Sequence, residues 1–380
     1  MTERPRVLYV ITDPISTRLL RGQLAMLRDE GFDVHLATAD GPELAAFART
    51  EGVAAHVVPM VREPSVWRDL RALISLVALV VRLRPALVHS STPKAGLLGT
   101  LAAWLTRRPV RVYLVRGLRF ETAEGRQRTL YLGIERFVAR RATHVMFNSA
   151  STRKVAEDEG IVAPGAGIVL AGGSGNGLDV SRLDDLPSRA EVRERLGLDH
   201  DAAVLGFVGR LTADKGIDDL VAVVERLGAA GRDVRLLLVG TIEEADPPSA
   251  RTRAFVETDP RVVTTGWVDD PVGLYPAMDL LVFPSRREGL PNVPLEAQAA
   301  GVPVVGYAAT GTVDAVVDGT TGRLVEVGDV AALAAAVDEL LGDDVRRAAM
   351  ATAGCDWVRS TFSQERVWTE LVAAYRSWLA

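Results

Sequence analysis

The chain contains one cysteine, Cys355, and only three lysines among its 44 basic residues. A single thiol can form neither an internal disulfide nor a cysteine-rich zinc site, so we expect a reducing, cytoplasmic environment. Long apolar runs are also scarce. The amino end offers only Val7–Ile11, which is too short for a signal peptide, and the longest run, Ala72–Val81, is about half the length that crosses a bilayer. We therefore expect no targeting segment and no membrane-spanning helix.

Charge is distributed unevenly along the chain. The formal net charge is −5, which argues against a nucleic-acid partner. Residues 1–175 carry 24 basic and 16 acidic side chains, a balance of +8, whereas the remaining 205 residues carry 20 and 33, a balance of −13. The basic half includes the Ala72–Val81 run, which is flanked by Arg68, Arg71, Arg82 and Arg84. That run is either a helix packed on a core or a helix lying on an anionic membrane surface.

Short β-branched runs alternate with helical patterns throughout, and 380 residues suit two or more domains. Continuous apolar strands separated by helices indicate parallel sheets covered on both faces. The alternation restarts in the second half, so we predict an α/β fold with two Rossmann-like, doubly wound parallel-sheet domains facing a cleft. The predicted strands are Arg6–Ile11, Asp33–Thr38, Ala55–Val58, Ala86–His89, Val110–Val115, Thr143–Phe147, Ala203–Val208, Arg235–Val239, Val262–Thr264, Leu280–Phe283 and Val302–Val305. The predicted helices include Ser16–Glu30, Pro42–Thr50, Lys94–Leu105, Val293–Ala300 and Val330–Leu341.

A glycine-rich stretch marks the boundary between the halves. Residues 163–177 contain six glycines in fifteen positions, a density typical of turns and mobile connections. We predict a first domain at 1–170, a linker at 171–177 and a second domain at 178–360. The remaining segment, 361–380, is helical and aromatic, and we expect it to pack back on the first domain.

The first chemical signal is the turn Gly209–Gly216 (GRLTADKG), directly after a predicted strand. A strand-to-helix turn places a helix amino end at the top of the sheet, where backbone N–H groups favour an anion. Arg210 and Lys215 add two cations to this loop, so it could hold a diphosphate, with solvated surface charges as the alternative. The turn is neither a dinucleotide-binding glycine motif nor a P-loop.

The second signal pairs Glu288 with Glu296, with seven residues between them, in a loop that follows the strand Leu280–Phe283. Each carboxylate can accept two hydrogen bonds, which suits the vicinal hydroxyls of a sugar or ribose. Gly289 lets the backbone approach a ligand, and Pro294 suits the first turn of a helix. Together with the cationic turn, this loop predicts a site for a phosphorylated, hydroxyl-rich ligand.

These two segments resemble the hallmarks of the family 4 retaining glycosyltransferases of the GT-B fold, and the likeness extends over nearly the whole chain. In the first half, the segments 92–99 (TPKAGLLG), 116–122 (RGLRFET) and 175–179 (GNGLD) are similar to a subgroup that extends bacterial lipid-linked and capsular oligosaccharides. The second-half motifs are specific to the superfamily, whereas the first-half segments indicate only the class of acceptor.

The resemblance implies a role for each matching residue. Arg210 and Lys215 would bind the donor diphosphate and neutralise the leaving nucleotide. Glu296 would hold the ribose hydroxyls, and Glu288 would contact the transferred sugar. The implied catalytic residues are Arg210, Lys215 and Glu288, and the implied donor-binding residues are Gly209, Arg210, Lys215, Glu288, Gly289, Leu290, Asn292, Val293 and Glu296. Such enzymes use no metal or other cofactor, because cations and a helix dipole stabilise the leaving group.

The first half departs from the family pattern at two places. Many relatives have Gly-Gly after the first strand, where this chain has Thr12–Thr17 (TDPIST), and many have a histidine near the reacting sugar, where this chain has Arg116. We expect Arg116 to contact an anionic acceptor or a donor phosphate, or to form a structural salt bridge. The candidates for the acceptor or sugar side are Ser16, His89, Lys94, Arg116, Arg119 and Glu121. The other four histidines lack partners at ligand spacing, and we expect no metal site.

The sequence thus predicts a retaining, metal-independent glycosyltransferase that moves a sugar from a nucleoside diphosphate sugar, with UDP-HexNAc or UDP-hexose favoured, to a hydroxyl acceptor. A lipid-linked glycan is the expected acceptor, which suggests polysaccharide biosynthesis at the inner face of the cell membrane and peripheral membrane contact through the first domain. The alternatives are a transferase acting on a diffusible small molecule, a hydrolysing UDP-sugar epimerase of the same fold, and a non-catalytic nucleotide-sugar sensor.

Overall fold

A computed structural model describes residues 4–61, 63 and 65–380. The chain divides into two compact units, of which unit 1 comprises Met1–Gly177 with Gln364–Ala380 and unit 2 comprises Leu178–Ser363. The glycine-rich segment 171–177 therefore lies in unit 1. In the described part of the chain, no helix is both long enough and apolar enough to cross a bilayer.

Unit 1 is built on a six-stranded sheet in which every strand pair is parallel. In chain order its elements are β1 (Arg6–Val10), α1 (Gln23–Asp29), β2 (Asp33–Thr38), α2 (Pro42–Glu51), β3 (Ala54–Val57), α3 (Val66–Leu83), β4 (Leu87–Ser91), α4 (Pro93–Leu105), β5 (Val110–Val115), α5 (Gly125–Ala139), β6 (His144–Phe147) and α6 (Ala150–Asp158). The strand order is β3-β2-β1-β4-β5-β6, so the order reverses between β1 and β4.

Unit 2 repeats this architecture. Its elements are α7 (Arg189–Leu196), β7 (Ala203–Val208), α8 (Ile217–Ala229), β8 (Val234–Val239), α9 (Ala250–Thr258), β9 (Val262–Gly266), β10 (Leu280–Phe283), α10 (Asn292–Ala299), β11 (Val304–Tyr307), α11 (Thr312–Ala315), β12 (Gly322–Val325), α12 (Val330–Leu341) and α13 (Asp344–Phe362). The strands are again parallel, in the order β12-β11-β10-β7-β8-β9. The predicted α/β class with two doubly wound parallel sheets is confirmed.

Burial explains why these strands were visible in the sequence. The central strands β1, β4, β7 and β10 are almost wholly buried, because helices cover both faces of each sheet. The core of unit 2 also contains one fully buried cation. Arg193 of α7 donates to Asp279 at 2.9 Å and to the Ala277 carbonyl at 3.0 Å, so its charge is paired inside the unit.

One predicted element was wrong in detail, and one strand was not predicted. The single helix expected at Ser16–Glu30 is a 3-10 helix, Pro14–Leu20, followed by α1, because Gly22 adopts a left-handed φ of 75° between them. Strand β12 was not predicted, since a short edge strand with a glycine and an arginine lacks the apolar run that marked the other strands.

The last helix, α14 (Gln364–Leu379), belongs to unit 1. Its buried face includes Leu371, Val372 and Tyr375, which join the core formed by β1, β2 and α1. A side chain at Gly22 would lie 2.9 Å from the Trp368 ring, so the break before α1 is also where α14 packs closely.

Candidate functional site

Both motifs singled out in the second half of the sequence lie at the same place in unit 2. The strand order reverses between β7 and β10, and doubly wound sheets bind ligands outside the carboxyl ends of their strands at such a point. The Gly209–Gly216 turn directly follows β7, and the segment that contains Glu288 and Glu296 follows β10. The topology therefore brings the two motifs to one edge of one sheet.

The Gly209–Gly216 turn is held by close backbone packing. Its first glycine has a φ of 144° and donates its N–H to the Val239 carbonyl at 2.9 Å. Its last glycine has a φ of 74°, and a Cβ there would lie 2.3 Å from the carbonyl oxygen of Pro284, just after β10. Only glycine fits this approach. Helix α8 begins at the next residue, so Lys215 lies beside the positive end of the α8 dipole.

Lys215 and Glu288 form the contact between the two motifs. Nζ of Lys215 lies 2.5 Å from Oε1 of Glu288, and the Ser285 hydroxyl donates to the same oxygen at 2.7 Å. The Glu288 N–H donates to the Thr310 carbonyl at 3.0 Å and fixes the loop. The two charged side chains are only 18% and 15% exposed, so their attraction is screened less than that of a surface pair.

Arg210 lies on the same turn but has a different partner. Its Nη1 is 2.6 Å from Oε2 of Glu243, a residue outside both motifs, and the two side chains are 45% and 38% exposed. Exposed pairs of this kind contribute about 0–1 kcal/mol. A ligand phosphate can therefore replace Glu243 at little cost.

Glu296 lies in the second turn of α10. It accepts a hydrogen bond at 2.8 Å from the hydroxyl of Tyr275, which is fully buried. Burial raises the pKa of Glu296, although the bond from Tyr275 opposes this shift. An ionised carboxylate has about four acceptor positions, so Tyr275 leaves capacity for the hydroxyls of a ligand.

The other predicted donor-site residues shape the loop between the two carboxylates. Leu290 is buried, Val293 is partly buried, and Asn292 is exposed as the first residue of α10. The carbonyl of Gly289 packs so closely on Gly311 that a Cβ at residue 311 would lie 2.7 Å from it.

Sequence reasoning missed Tyr275 and Ser285. Ser285 comes three residues before Glu288, and its position directly beyond a buried strand is a signal that could have identified it. Tyr275 lies in the 3-10 helix Val272–Ala277, 21 residues before Glu296, and no spacing in the sequence links the two.

In unit 1 the structure gives several acceptor-side candidates separate surroundings. Ser16 lies in the 3-10 helix after β1, and Glu121 lies partly buried in a second 3-10 helix after β5. Lys94 of α4 donates to Asp69 of α3 at 2.7 Å, so it ties two helices together. The exposed Arg119 lies over the Tyr131 ring at 5.3 Å.

His89, a candidate for the acceptor or sugar side, lies instead in the core of unit 1. It is 2% exposed, its ring stacks on Tyr9 at 4.5 Å, and its Nδ1 lies 2.5 Å from the Tyr375 hydroxyl of α14. Burial and the nearby Arg116 charge lower the pKa of His89 to about 3, so the ring is neutral. These contacts give His89 a structural role between β4 and α14.

Arg116 follows β5 directly and lies close to Tyr9 and His89. The structural salt bridge considered as an alternative is not formed with any carboxylate of the described residues. Metal-ligand geometry is also not found in the part of the chain that the structure describes, since no three His, Cys, Asp or Glu side chains gather there.

Comparison with known proteins identifies the family. A family described as "Glycosyl transferases group 1" matches residues 202–343, and one described as "Glycosyl transferase 4-like domain" matches residues 16–170. The capsular polysaccharide biosynthesis glycosyltransferase CapM of Staphylococcus aureus is 36% identical over 375 residues, which cover 98% of this chain and 97% of CapM. The UDP-Gal:α-D-GlcNAc-diphosphoundecaprenol α-1,3-galactosyltransferase of Escherichia coli is 26% identical, over 85% of this chain and 84% of that enzyme.

Solved structures agree on the fold. Sucrose-phosphate synthase from Thermosynechococcus elongatus is 21% identical with a TM-score of 0.81 and covers 98% of this chain and 99% of its own. Anabaena HepE in complex with UDP-glucose is 20% identical with the same TM-score, over 98% and 100% of the two chains. The chain therefore belongs to the family 4 glycosyltransferases of the GT-B fold, in the group that contains bacterial capsular and lipid-linked glycan transferases.

Proposed function

We propose that this glycosyltransferase takes a UDP-hexose or UDP-HexNAc and transfers the sugar, with retention of configuration, to a hydroxyl of a lipid-linked glycan. The Escherichia coli relative is named for UDP-Gal as donor and a diphosphoundecaprenol-linked acceptor, and CapM is named for capsular polysaccharide biosynthesis. The solved HepE complex holds UDP-glucose. These relatives support both the donor class and the acceptor class.

The observation that carries the proposal is the contact of Lys215 with Glu288 at the switch point of unit 2. A cation beside a helix amino end suits a diphosphate, and the adjacent carboxylate suits sugar hydroxyls. Glu296, held by Tyr275, suits the ribose. A nucleoside diphosphate sugar has all three groups in one molecule.

The proposed reaction needs no metal ion. Lys215, Arg210 and the α8 dipole stabilise the negative charge on the departing UDP. The acceptor oxygen bonds to the anomeric carbon as the bond from that carbon to the β-phosphate oxygen breaks, and a phosphate oxygen takes the acceptor proton on the same face. Turnover should persist in excess EDTA, and a loss that Mg²⁺ or Mn²⁺ restores would contradict this mechanism.

Glu296→Ala tests the donor site. Removing a charged hydrogen-bond acceptor should weaken UDP binding by about tenfold or more, measured by calorimetry. Glu257→Ala removes an exposed carboxylate of α9 in the same unit and should bind UDP as the wild type does. Failure of the wild type to bind UDP or any UDP-sugar would reject the proposed donor.

Product analysis tests the reaction class. With a UDP-sugar and a diphosphate-linked lipid saccharide, the expected product is the lengthened saccharide with an unchanged anomeric configuration. Release of a free, epimerised sugar from donor alone would instead indicate the epimerase. Donor binding without turnover on lipid-linked acceptors or on soluble saccharides would indicate a sensor, and turnover on soluble saccharides alone would replace the lipid acceptor.

The surface of α3 supports membrane contact. Its inner face is buried against the sheet, yet Trp67, Leu70, Ile74 and Val81 are exposed along one outer stripe about 21 Å long. The flanking arginines on and beside this helix include Arg68, Arg71, Arg82 and Arg84. An apolar stripe bordered by cations suits the interface of an anionic bilayer, at the cytoplasmic face.

Flotation with anionic and neutral liposomes tests this surface. The wild type should bind anionic vesicles, and Trp67→Ser combined with Ile74→Ser should lose most of that binding. Val345→Ser removes a similarly exposed apolar side chain from α13 of unit 2 and should bind like the wild type. Equal binding by all three proteins, or by none, would reject α3 as the membrane contact.

A further inference from the structure

The guanidinium of Arg116 has no counter-ion among the residues that the structure describes. Its Nε and Nη2 atoms are inaccessible to solvent and form no hydrogen bond. No Asp or Glu of the described residues pairs with it, whereas the fully buried Arg193 has Asp279 as its partner. A cation removed from water without a partner is costly, and protein cores rarely retain one.

The groups around Arg116 are neutral. Burial raises the pKa of the Tyr9 hydroxyl, and His89 is unprotonated because its pKa is lowered to about 3. On another side lies the glycine-rich segment, where a Cβ at Gly175 would be 2.9 Å from Nη1 of Arg116. The described residues around Arg116 therefore enclose its guanidinium but carry no negative charge. Burial accordingly lowers the pKa of Arg116 itself to about 10, and it remains a cation at neutral pH.

The position of Arg116 is that of a ligand-binding residue. It is the first residue after β5, at the carboxyl edge of the sheet, where doubly wound folds bind ligands. His89 on the neighbouring β4 has a buried Nε2 that also lacks a partner. Nitrogens without a partner among the described residues thus lie on β4 and just beyond β5, and a phosphate that reaches this edge can accept from Arg116 directly.

We propose that Arg116 binds a phosphate group of a substrate through its guanidinium, and so forms an anion site in unit 1. A planar guanidinium matches two phosphate oxygens, and the bond is charge-assisted on both sides. The choice of phosphate rests on the proposed function, in which both the UDP-sugar and a diphosphate-linked acceptor carry this group. The chemistry is the same for either source, and the two are separated by experiment.

Two titrations of the full chain distinguish the sources. The first measures the affinity for UDP in the wild type and in Arg116→Gln. The second measures the affinity for geranyl diphosphate, a short diphosphate-linked lipid, with the donor site already saturated by UDP. A loss of tenfold or more in the first titration assigns Arg116 to the donor phosphate, and such a loss in the second assigns it to the acceptor phosphate. Affinities within twofold of the wild type in both would overturn the proposal.

Controls separate an anion site from general electrostatics and from a structural role. Arg126→Gln removes an exposed charge of the same unit and should leave both affinities unchanged. Arg116→Lys keeps the charge but loses the planar fork, so it should recover only part of the affinity. Arg116→Met should have a Tm equal to or above that of the wild type, since it removes an unpaired charge of which two nitrogens are shielded from water. A lower Tm with unchanged affinities would show that the residue is structural.

Failure of this proposal can be told apart from failure of the proposed function. If the wild type binds UDP, and Arg116→Gln binds UDP and geranyl diphosphate as tightly as the wild type does, only the anion site is rejected. A wild type that binds no UDP rejects the donor assignment in unit 2, while a titration with geranyl diphosphate in the absence of UDP still tests Arg116.

Discussion

The buried carboxyl group of Glu135 should make the stability of unit 1 depend on pH. Glu135 lies on α5, is 6% exposed and accepts a hydrogen bond at 2.8 Å from the Tyr113 hydroxyl. Burial raises the pKa of Glu135 from 4.5 to about 7, although the bond from Tyr113 opposes the shift. Since each pKa unit is worth about 1.4 kcal/mol, the difference corresponds to about 3 kcal/mol.

The sign follows from which state holds the proton. Below about pH 4.5 the carboxyl of Glu135 is protonated in both the folded and the unfolded chain, and no charge is buried. As the pH rises towards 7, the unfolded chain ionises while the folded chain still holds its proton, so the free energy of unfolding falls. The stability that the protonated Glu135 contributes is lost once the pH has passed the pKa of Glu135 in the folded chain. Glu135→Gln stays neutral at every pH and can still accept from Tyr113, so this loss should be absent.

Urea unfolding at pH 5, 6, 7 and 8, followed by far-UV circular dichroism, measures the difference. Relative to Glu135→Gln, the wild type should lose about 2 to 3 kcal/mol between pH 5 and pH 8. Glu43→Gln, an exposed change on α2, should follow the wild-type curve within about 0.5 kcal/mol. Parallel pH curves for the wild type and Glu135→Gln would refute the reasoning.

Three further changes follow from contacts in unit 2. Tyr275→Phe removes the hydroxyl that donates to the carboxylate of Glu296, and calorimetry should show UDP binding weakened by about tenfold with little change in Tm. Gly216→Ala forces a left-handed residue and a Cβ 2.3 Å from the carbonyl of Pro284, so the turn must shift, and both Tm and UDP affinity should fall. Arg193→Met removes the fully buried partner of Asp279, together with its hydrogen bonds to four backbone carbonyls, and should cost about 3–5 kcal/mol in urea unfolding. Arg189→Met, at the 45% exposed partner of the same aspartate, should cost about 1 kcal/mol or less. A small effect of Arg193→Met, or equal effects of the two arginine changes, would contradict this account.

The sheets could be predicted from the sequence because helices cover both faces, so most strands are continuous apolar runs. β12 lies at an edge, and its residues Arg323, Leu324 and Val325 are only partly buried, so no such run appears. It is a strand because it pairs with β11, a fact of tertiary structure. The break at Gly22 also depends on tertiary structure. The ring of Trp368, more than 300 positions further along the chain, leaves no room for a side chain at Gly22.

The candidate site in unit 2 could be approached from the sequence because its charged residues lie in two short segments, each directly after a central strand. Their pairing depends on the reversal of strand order, which places β7 beside β10. His89 shows the opposite case. Its partner Tyr375 lies 286 residues further along the chain. The sequence around His89 therefore gave no indication that the His89 ring is already hydrogen-bonded.

The scarcity of lysine indicates function less well than the surroundings of each lysine do. Each of the three lysines forms an ion pair: Lys94 with Asp69, Lys154 with Asp158, and Lys215 with Glu288. The pair of Lys154 is 73% and 61% exposed and spans one helical turn, whereas Lys94 and Lys215 are mostly buried. Burial alone does not separate the last two, since Lys94 joins two helices of unit 1. Position does not separate them either, because Lys94 lies in the first turn of α4 at the switch point of unit 1. The partner does, since only Lys215 contacts the glutamate of the second motif.

The two cations of the Gly209–Gly216 turn should respond differently when a diphosphate arrives. Arg210 can leave its exposed partner freely, because water screens both charges. Lys215 cannot lose its shielded partner without leaving Glu288 as a lone charge in a poorly solvated place. In the proposed reaction the sugar hydroxyls resolve this conflict, since they donate to Glu288 as the phosphate takes over Lys215. UDP alone supplies the phosphate without those hydroxyls, so Glu288→Gln should weaken UDP-sugar binding more than UDP binding. Equal losses for both ligands, measured by calorimetry, would show that Glu288 acts only through Lys215.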